Sequence, residues 1–265
     1  MILHQALNDW VIRYLTAELP GYQRRVPNDM DLLHAHVRPG DVVLVEGKSR
    51  ISQVIMYLTQ SSWSHAAMYI GDALLRWGGP GAEEALDQWG PDAAHLLIES
   101  DMRDGVIVVP LSKYEHHNIR VCRPHGLVPE DVERVLTEML LHLGVRYDRR
   151  NIFDLARYLT PFHLLPRKLR RRPLYLGSSS SREVICSALI ARAFYKVGYP
   201  VQPVLGSGRA EAPGGNTAIR GPRRMTVRHP SYIMPRDFDL SANFEVLKGH
   251  LLGGARLGYA PDPWA

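Results

Sequence analysis

The chain has 265 residues, 45% of them hydrophobic, with a formal net charge of +5 and two cysteines. That is enough for one sizeable core with additions, and two cysteines exclude the disulfide framework of a small secreted protein. No run approaches the roughly 20 apolar residues of a membrane-spanning helix. Residues 1–10 lack the basic start and unbroken apolar core of a secretory signal, so a single cytoplasmic domain is expected, soluble or held peripherally at the inner face of a membrane.

Residues 2–19 set Leu3, Leu7, Trp10, Val11, Tyr14 and Leu15 at helical spacing, which predicts an amphipathic helix ended by Pro20-Gly21. Pro39-Gly40 predicts a turn and residues 42–45 a buried strand; Ile51, Val54, Ile55 and Leu58 share one face of a helix over 49–58. A loop over 59–64 then leads to a strand at 65–70, whose poor alternation predicts burial on both faces. Residues 76–94 carry Gly78-Gly79-Pro80-Gly81 and Pro91 and read as a loop excursion with a short helix near 83–89. Strands follow at 95–99, 106–110 and 119–122, with Cys122 opposite Ile119 and Val121, as a packed core thiol would be.

Residues 129–143 form an amphipathic helix, with Glu130 and Asp131 in the first turn and Gly144 closing it. A further helix is expected at 151–159. The sharpest change of composition is at 160–173, where Arg167, Lys168, Arg170, Arg171 and Arg172 follow Phe162, Leu164 and Leu165. This basic loop, spanning 160–182, reads first as solvated. Its functional alternative is an anionic membrane surface met through Phe162 to Arg172; with no DNA-binding motif or aromatic-interleaved module, nucleic acid is not expected. Ser180 and Glu183 fit a capping box for the helical pattern that carries Cys186, while a start nearer Val184 would bring Cys186 into the first turn; both starts stay open. Residues 206–224 are Gly-, Pro- and Arg-rich and read as an irregular excursion. The extension 225–265 returns to order at 235–240 and 244–247, including an edge strand.

Three residues along this path suggest chemistry. In an antiparallel pair the first residue of one strand lies across from the last of the next, so pairing 65–70 with 95–99 would set His65 beside Glu99. A cysteine at a helix head has its thiolate favoured by the dipole and by free N–H groups. Cys186, His65 and Glu99 thus make a nucleophile, base and orienting acid, with Asp101, on the same strand face as Glu99, left open as the third member. The twelve histidines include His34 with His36 and His116 with His117, but no cysteine or acidic cluster joins them at zinc-ligand spacing. No metal and no cofactor is expected.

The blocks at 39–47 (PGDVVLVEG), 59–65 (TQSSWSH), 97–99 (LIE) and 186–190 (CSALI) resemble the circularly permuted papain-like hydrolases. These are the YiiX-like branch of the NlpC superfamily, related to the lecithin:retinol acyltransferase-like enzymes. The resemblance covers about residues 37–200, with a tail match at 235–240, and follows the permuted order of histidine, acid, cysteine. It implies an α+β fold in one domain over 1–265, with an antiparallel sheet or barrel packed against the cysteine helix. By the family pattern Cys186 is the nucleophile, His65 the base and Glu99 the acid, while Tyr147 and Ser64 border the substrate pocket. The implied activity is a cysteine hydrolase that cleaves an amide or ester bond through a thioester acyl-enzyme, on a small peptide, amide or lipid-acyl substrate. A lipid-directed acyltransferase or phospholipase with the same residues, and a non-catalytic lipid- or peptide-binding protein, are the alternatives.

Overall fold

The computed structural model describes residues 13–23, 27–101, 103–145, 186–205 and 225–247. The expectations for the helix at 151–159, the basic loop at 160–182, the excursion at 206–224 and Tyr147 lie outside the described residues. Of the N-terminal helix, residues 13–16 are described and helical, with Leu15 buried.

The elements in chain order are α1 (Met30–His36), β1 (Val42–Val45), α2 (Arg50–Thr59), β2 (His65–Gly71), α3 (Ala73–Trp77) and α4 (Pro80–Trp89). Next come β3 (Leu96–Asp101), β4 (Gly105–Pro110), β5 (Ile119–Pro124), α5 (Pro129–Leu140) and α6 (Cys186–Lys196). Last are β6 (Pro203–Leu205), β7 (Met225–Val227), α7 (Pro235–Asp239) and β8 (Phe244–Val246). Six strands form one sheet in the order β4-β3-β2-β1-β5-β8, antiparallel throughout, and β6 and β7 form a separate pair. The fold is α+β, and β8 is the edge strand expected near 244–247.

Both faces of the sheet are covered, which explains the weak alternation of its central strands. Val42, Leu44, Ala66, Met68, Ile70, Leu96 and Ile98 face a large core that also takes in Leu136 and Met139 of α5 and Leu189, Ile190 and Phe194 of α6. Val43, Val45, Ala67, Tyr69 and Leu97 face a smaller core with Leu33 of α1, Leu111 and Tyr114. α5 begins with Pro129 at its first position and acids in the first turn, and it buries Val135, Leu136, Met139 and Leu140. Each such side chain contributes about 1.5–3 kcal/mol of burial. Cys122 lies in the large core, level with Val42 of β1 and Val246 of β8.

Two local expectations are corrected. Residues 76–94 are largely helical: Gly78 and Gly79, at φ 78° and 87°, turn the chain between α3 and α4, and Pro80 supplies a first helical position with φ already set. The register also differs. β3 runs to Asp101, and its pairing with β2 is Met68↔Ile98, Tyr69↔Leu97 and Gly71↔Leu96, so the continued register sets Glu99 across from Ala67. His65 itself pairs with Val45 of β1. His65 and Glu99 therefore meet on a diagonal of one sheet face, within reach of long side chains.

Candidate active site

His65 opens β2, and the residues before it are fixed in place. The Ser64 N–H bonds the Val45 carbonyl at 3.1 Å, and the Ser64 hydroxyl accepts the Gly47 N–H at 2.9 Å. Gly47 leaves no room for a side chain, since an added Cβ would stand 2.2 Å from Ser52 Oγ and 2.9 Å from Ser64 Oγ. The Trp63 indole donates to Asp239 of α7 at 3.1 Å, and Arg120, bonded to Asp239 at 2.5 Å, lies 5.0 Å over the Trp63 ring. Arg236 of α7 also donates to the carbonyl of Thr59, at the end of α2. The C-terminal segment thus braces the loop that delivers the histidine.

Glu99 is 2% exposed and held by three side chains. Its Oε2 lies 3.1 Å from His65 Nε2 and accepts the Tyr114 hydroxyl at 2.5 Å, while Oε1 accepts Lys113 Nζ at 2.5 Å. Burial by itself would raise the carboxyl pKa, but His65 and Lys113 outweigh it and bring it from 4.5 down to about 2. Burial and the neighbouring carboxylate push the Tyr114 phenol well above 10, so Tyr114 stays a donor. Asp101, on the same strand face, instead accepts the backbone N–H groups of Arg103 at 2.7 Å and Asp104 at 3.2 Å, closing the β3–β4 turn. Of the two acids, Glu99 is the one bonded to His65.

Cys186, the first described residue of α6, is buried and lines the same cavity as His65, whose charge acts on its sulfur. Glu99 takes Nε2 of the ring, which leaves Nδ1 as its other nitrogen. α6 lies against β2, where Ala66 presents only a methyl, and the Ala66 and Ser187 N–H groups both reach the Cys186 sulfur. The Ser187 hydroxyl anchors α6 to the Ile233 carbonyl at 2.7 Å. Burial would raise the Cys186 pKa, but the His65 charge and the two N–H donors lower it from 9.0. Burial would likewise lower His65, yet Cys186 and Glu99 together raise it from 6.5 to about 10. This arrangement favours a thiolate–imidazolium pair at neutral pH. Cys122, with burial as its main influence, is pushed up to about 12 and stays a thiol.

The three groups open onto a cavity of about 440 Å³. Ile51, Ile55 and Leu58 of α2, with Ile233, Met234 and Pro235, form an apolar wall, and Lys48, Lys113, His117 and Asp101 contribute polar groups. Ser64 lines it as well, although its hydroxyl is committed to Gly47 and the Val45 carbonyl at 3.4 Å. Sequence reasoning missed Lys113, Tyr114 and the wall at 233–235. One signal was available for Lys113: the chain holds five lysines, at 48, 113, 168, 196 and 248, and two of them line this cavity. Nothing in local spacing marks Tyr114, which comes from a 3-10 turn, Leu111–Tyr114. Among the described residues no group of three or more His, Cys, Asp or Glu is placed to hold a metal ion, and no helix is long and apolar enough to cross a membrane.

Residues 36–158 match the family described as permuted papain-like amidase enzymes, YaeF/YiiX, C92 family. The matched stretch contains His65, Glu99, Lys113 and Tyr114 and ends before Cys186. Among solved structures, the chain is similar to the metalloprotein yiiX from Escherichia coli O157:H7, at 17% identity and a TM-score of 0.47, over 79% of this chain and 96% of that one. No curated protein matches the sequence. The resemblance of the sequence to the permuted papain-like hydrolases holds, and the family is one of amidases.

Proposed function

We propose that this chain, matched by the permuted papain-like amidases, is a cysteine hydrolase that cleaves an amide bond through a thioester on Cys186. The observation that carries this is the position of His65 between a buried thiol and a buried, triply bonded carboxylate at the floor of a cavity. The Cys186 thiolate attacks the carbonyl carbon, and a backbone N–H at the head of α6 with a second donor receives the oxyanion. His65 Nδ1–H gives its proton to the leaving nitrogen as the C–N bond breaks, which leaves the acyl group on sulfur. Water then attacks the thioester while His65 takes its proton, and the thiolate is expelled unchanged. Glu99 orients the ring and balances its charge, with no covalent part.

The direct test is an incubation of the protein with an activated acyl amide or ester, followed by intact-mass and peptide analysis. An acyl adduct on Cys186, absent in Cys186→Ala and trapped in greater amount at short times, is expected. Turnover by Cys186→Ala at the native rate would remove the assignment.

The apolar wall of Ile51, Ile55, Leu58, Ile233 and Met234 favours a second reading, in which the acyl group is a lipid chain and the enzyme an acyl hydrolase or acyltransferase. In that case the basic run at 167–172 would meet anionic headgroups, each cation contributing about 1 kcal/mol. Co-sedimentation with anionic but not zwitterionic vesicles, lost on replacing Arg170, Arg171 and Arg172 with glutamate, is its expected mark. Indifference of wild type to both vesicles would leave the soluble amidase alone.

A further inference from the structure

The polar side of the cavity holds a cation that the proposed chemistry does not use. Lys48 lines the cavity without an ion-pair partner among the described residues; its ammonium lies 5.1 Å from the Tyr22 ring centroid. The carboxylates nearby are engaged or exposed. Glu99 is bonded to His65, Tyr114 and Lys113, and Asp101 caps its turn. Glu46 accepts from Asn118 at 3.0 Å, and Glu18 is exposed at the cavity's edge.

A ladder of rings connects this cation to the triad. His65 and Tyr114 are 6.3 Å apart between centroids, Tyr114 and His117 5.3 Å, and Tyr22 and His117 6.1 Å. His117 is the middle rung. Its Nδ1 is buried and without a hydrogen-bond partner, and the ring lines the same cavity. Burial, together with the charges of Lys48 and Lys113, lowers its pKa to about 4, so it is a neutral imidazole between two cations. An ammonium with no ion-pair partner among the described residues and a buried ring nitrogen with no hydrogen-bond partner, both on residues that line one cavity, are complementary to a ligand acceptor.

We propose that Lys48 and His117 form a subsite for an anionic end group of the substrate, a carboxylate or a phosphate, so that the enzyme prefers acyl compounds with a negative charge beyond the scissile bond. Lys48 supplies the charge and His117 the neutral donor. This subsite deepens the amidase assignment and rests on Cys186 being the nucleophile.

The test uses matched chloroacetamides ending in a carboxylate, a phosphonate or a neutral carboxamide. In each, the Cys186 sulfur displaces chloride to form a thioether, read by peptide mass spectrometry, and the ratio of anionic to neutral labelling rates is the measured quantity. Wild type should favour an anionic probe about tenfold or more, the scale of one charge-assisted hydrogen bond. The larger of the carboxylate and phosphonate ratios identifies which anion the site takes. The ratio should fall toward one in Lys48→Met and in high salt, and return in Lys48→Arg. A wild-type ratio near one, or a ratio undiminished in Lys48→Met, overturns the subsite. If no probe labels Cys186, the nucleophile assignment fails by itself. Calorimetry on Cys186→Ala with the corresponding acetamides then decides the subsite, tighter binding of the anionic compound supporting it and equal binding overturning it.

Discussion

Tyr114 gives its hydroxyl proton to the same Glu99 oxygen that holds His65, at 2.5 Å, with the ring buried beneath the site. The carboxylate that orients the histidine is itself oriented, by Tyr114 on one oxygen and Lys113 on the other. Removing these donors should loosen the alignment of His65 and so slow the reaction of the thiol. Tyr114→Phe should slow alkylation of Cys186 about tenfold, the worth of one hydrogen bond to a charged group. Glu99→Gln should slow it about a hundredfold or more and still leave a remnant, because the acid does not react. Rates of iodoacetamide labelling for wild type and the two variants check this, and a Tyr114→Phe rate equal to wild type would show that Lys113 and His65 suffice to hold the acid.

The same contacts set a pH dependence of stability. Glu99 is lowered from 4.5 to about 2, so its contribution is complete above pH 4.5 and lost as pH falls toward 2. His65 is raised from 6.5 to about 10, so its contribution is complete below pH 6.5 and lost as pH rises through 10. Both are fully present between pH 4.5 and 6.5. Thermal unfolding of wild type and Glu99→Gln across pH 2 to 7 should show the gap between them open above pH 4.5 and close near pH 2. A gap that does not change with pH would mean that Glu99 is not ionised in the folded protein.

What the sequence disclosed, it disclosed through short-range signals. The buried run 42–45, the helix at 129–143 with its acidic first turn, and the opposed faces of Cys122 and Val121 all follow from period and capping, and the structure has them. His65 and Glu99 were expected in contact through a register that the structure does not use. The pairing Met68↔Ile98 sets Glu99 across from Ala67, two residues along from His65, and the two side chains meet on a diagonal instead. Lys113 and Tyr114 were not legible, since a 3-10 turn has no lasting periodicity and their meeting with Glu99 depends on how β4 folds back. The helices at 73–89 were obscured by paired glycines that serve as the turn between them.

Gly47 has no space for a methyl group, with Ser52 and Ser64 against it. Gly47→Ala should destabilise the fold by about 1–3 kcal/mol through overpacking. It should also slow Cys186 labelling, because Ser64, which would have to move, precedes His65. Ser64→Ala, which keeps the backbone bond to Val45, should cost about 0.5–1.5 kcal/mol. Denaturant unfolding checks the order of the two; a Gly47→Ala protein as stable as wild type would contradict the packing at this loop.

Cys122 lies in the core with its pKa pushed up to about 12. Cys122→Ala should keep full activity and lose about 1 kcal/mol of stability, as a modest core truncation does. Loss of activity with the fold intact would give this thiol a role beyond packing.

The proposed hydrolysis requires that His65 hold Cys186 as a thiolate. The most direct measurement is the pH dependence of iodoacetamide alkylation at each cysteine of the native protein, read by peptide mass spectrometry, in wild type and His65→Ala. Cys186 should label rapidly from a pH well below that of an ordinary thiol, Cys122 should label only on unfolding, and His65→Ala should return Cys186 to the pH dependence of a buried, unassisted thiol. Labelling of Cys186 that tracks an ordinary thiol in wild type and is unchanged in His65→Ala would contradict the account.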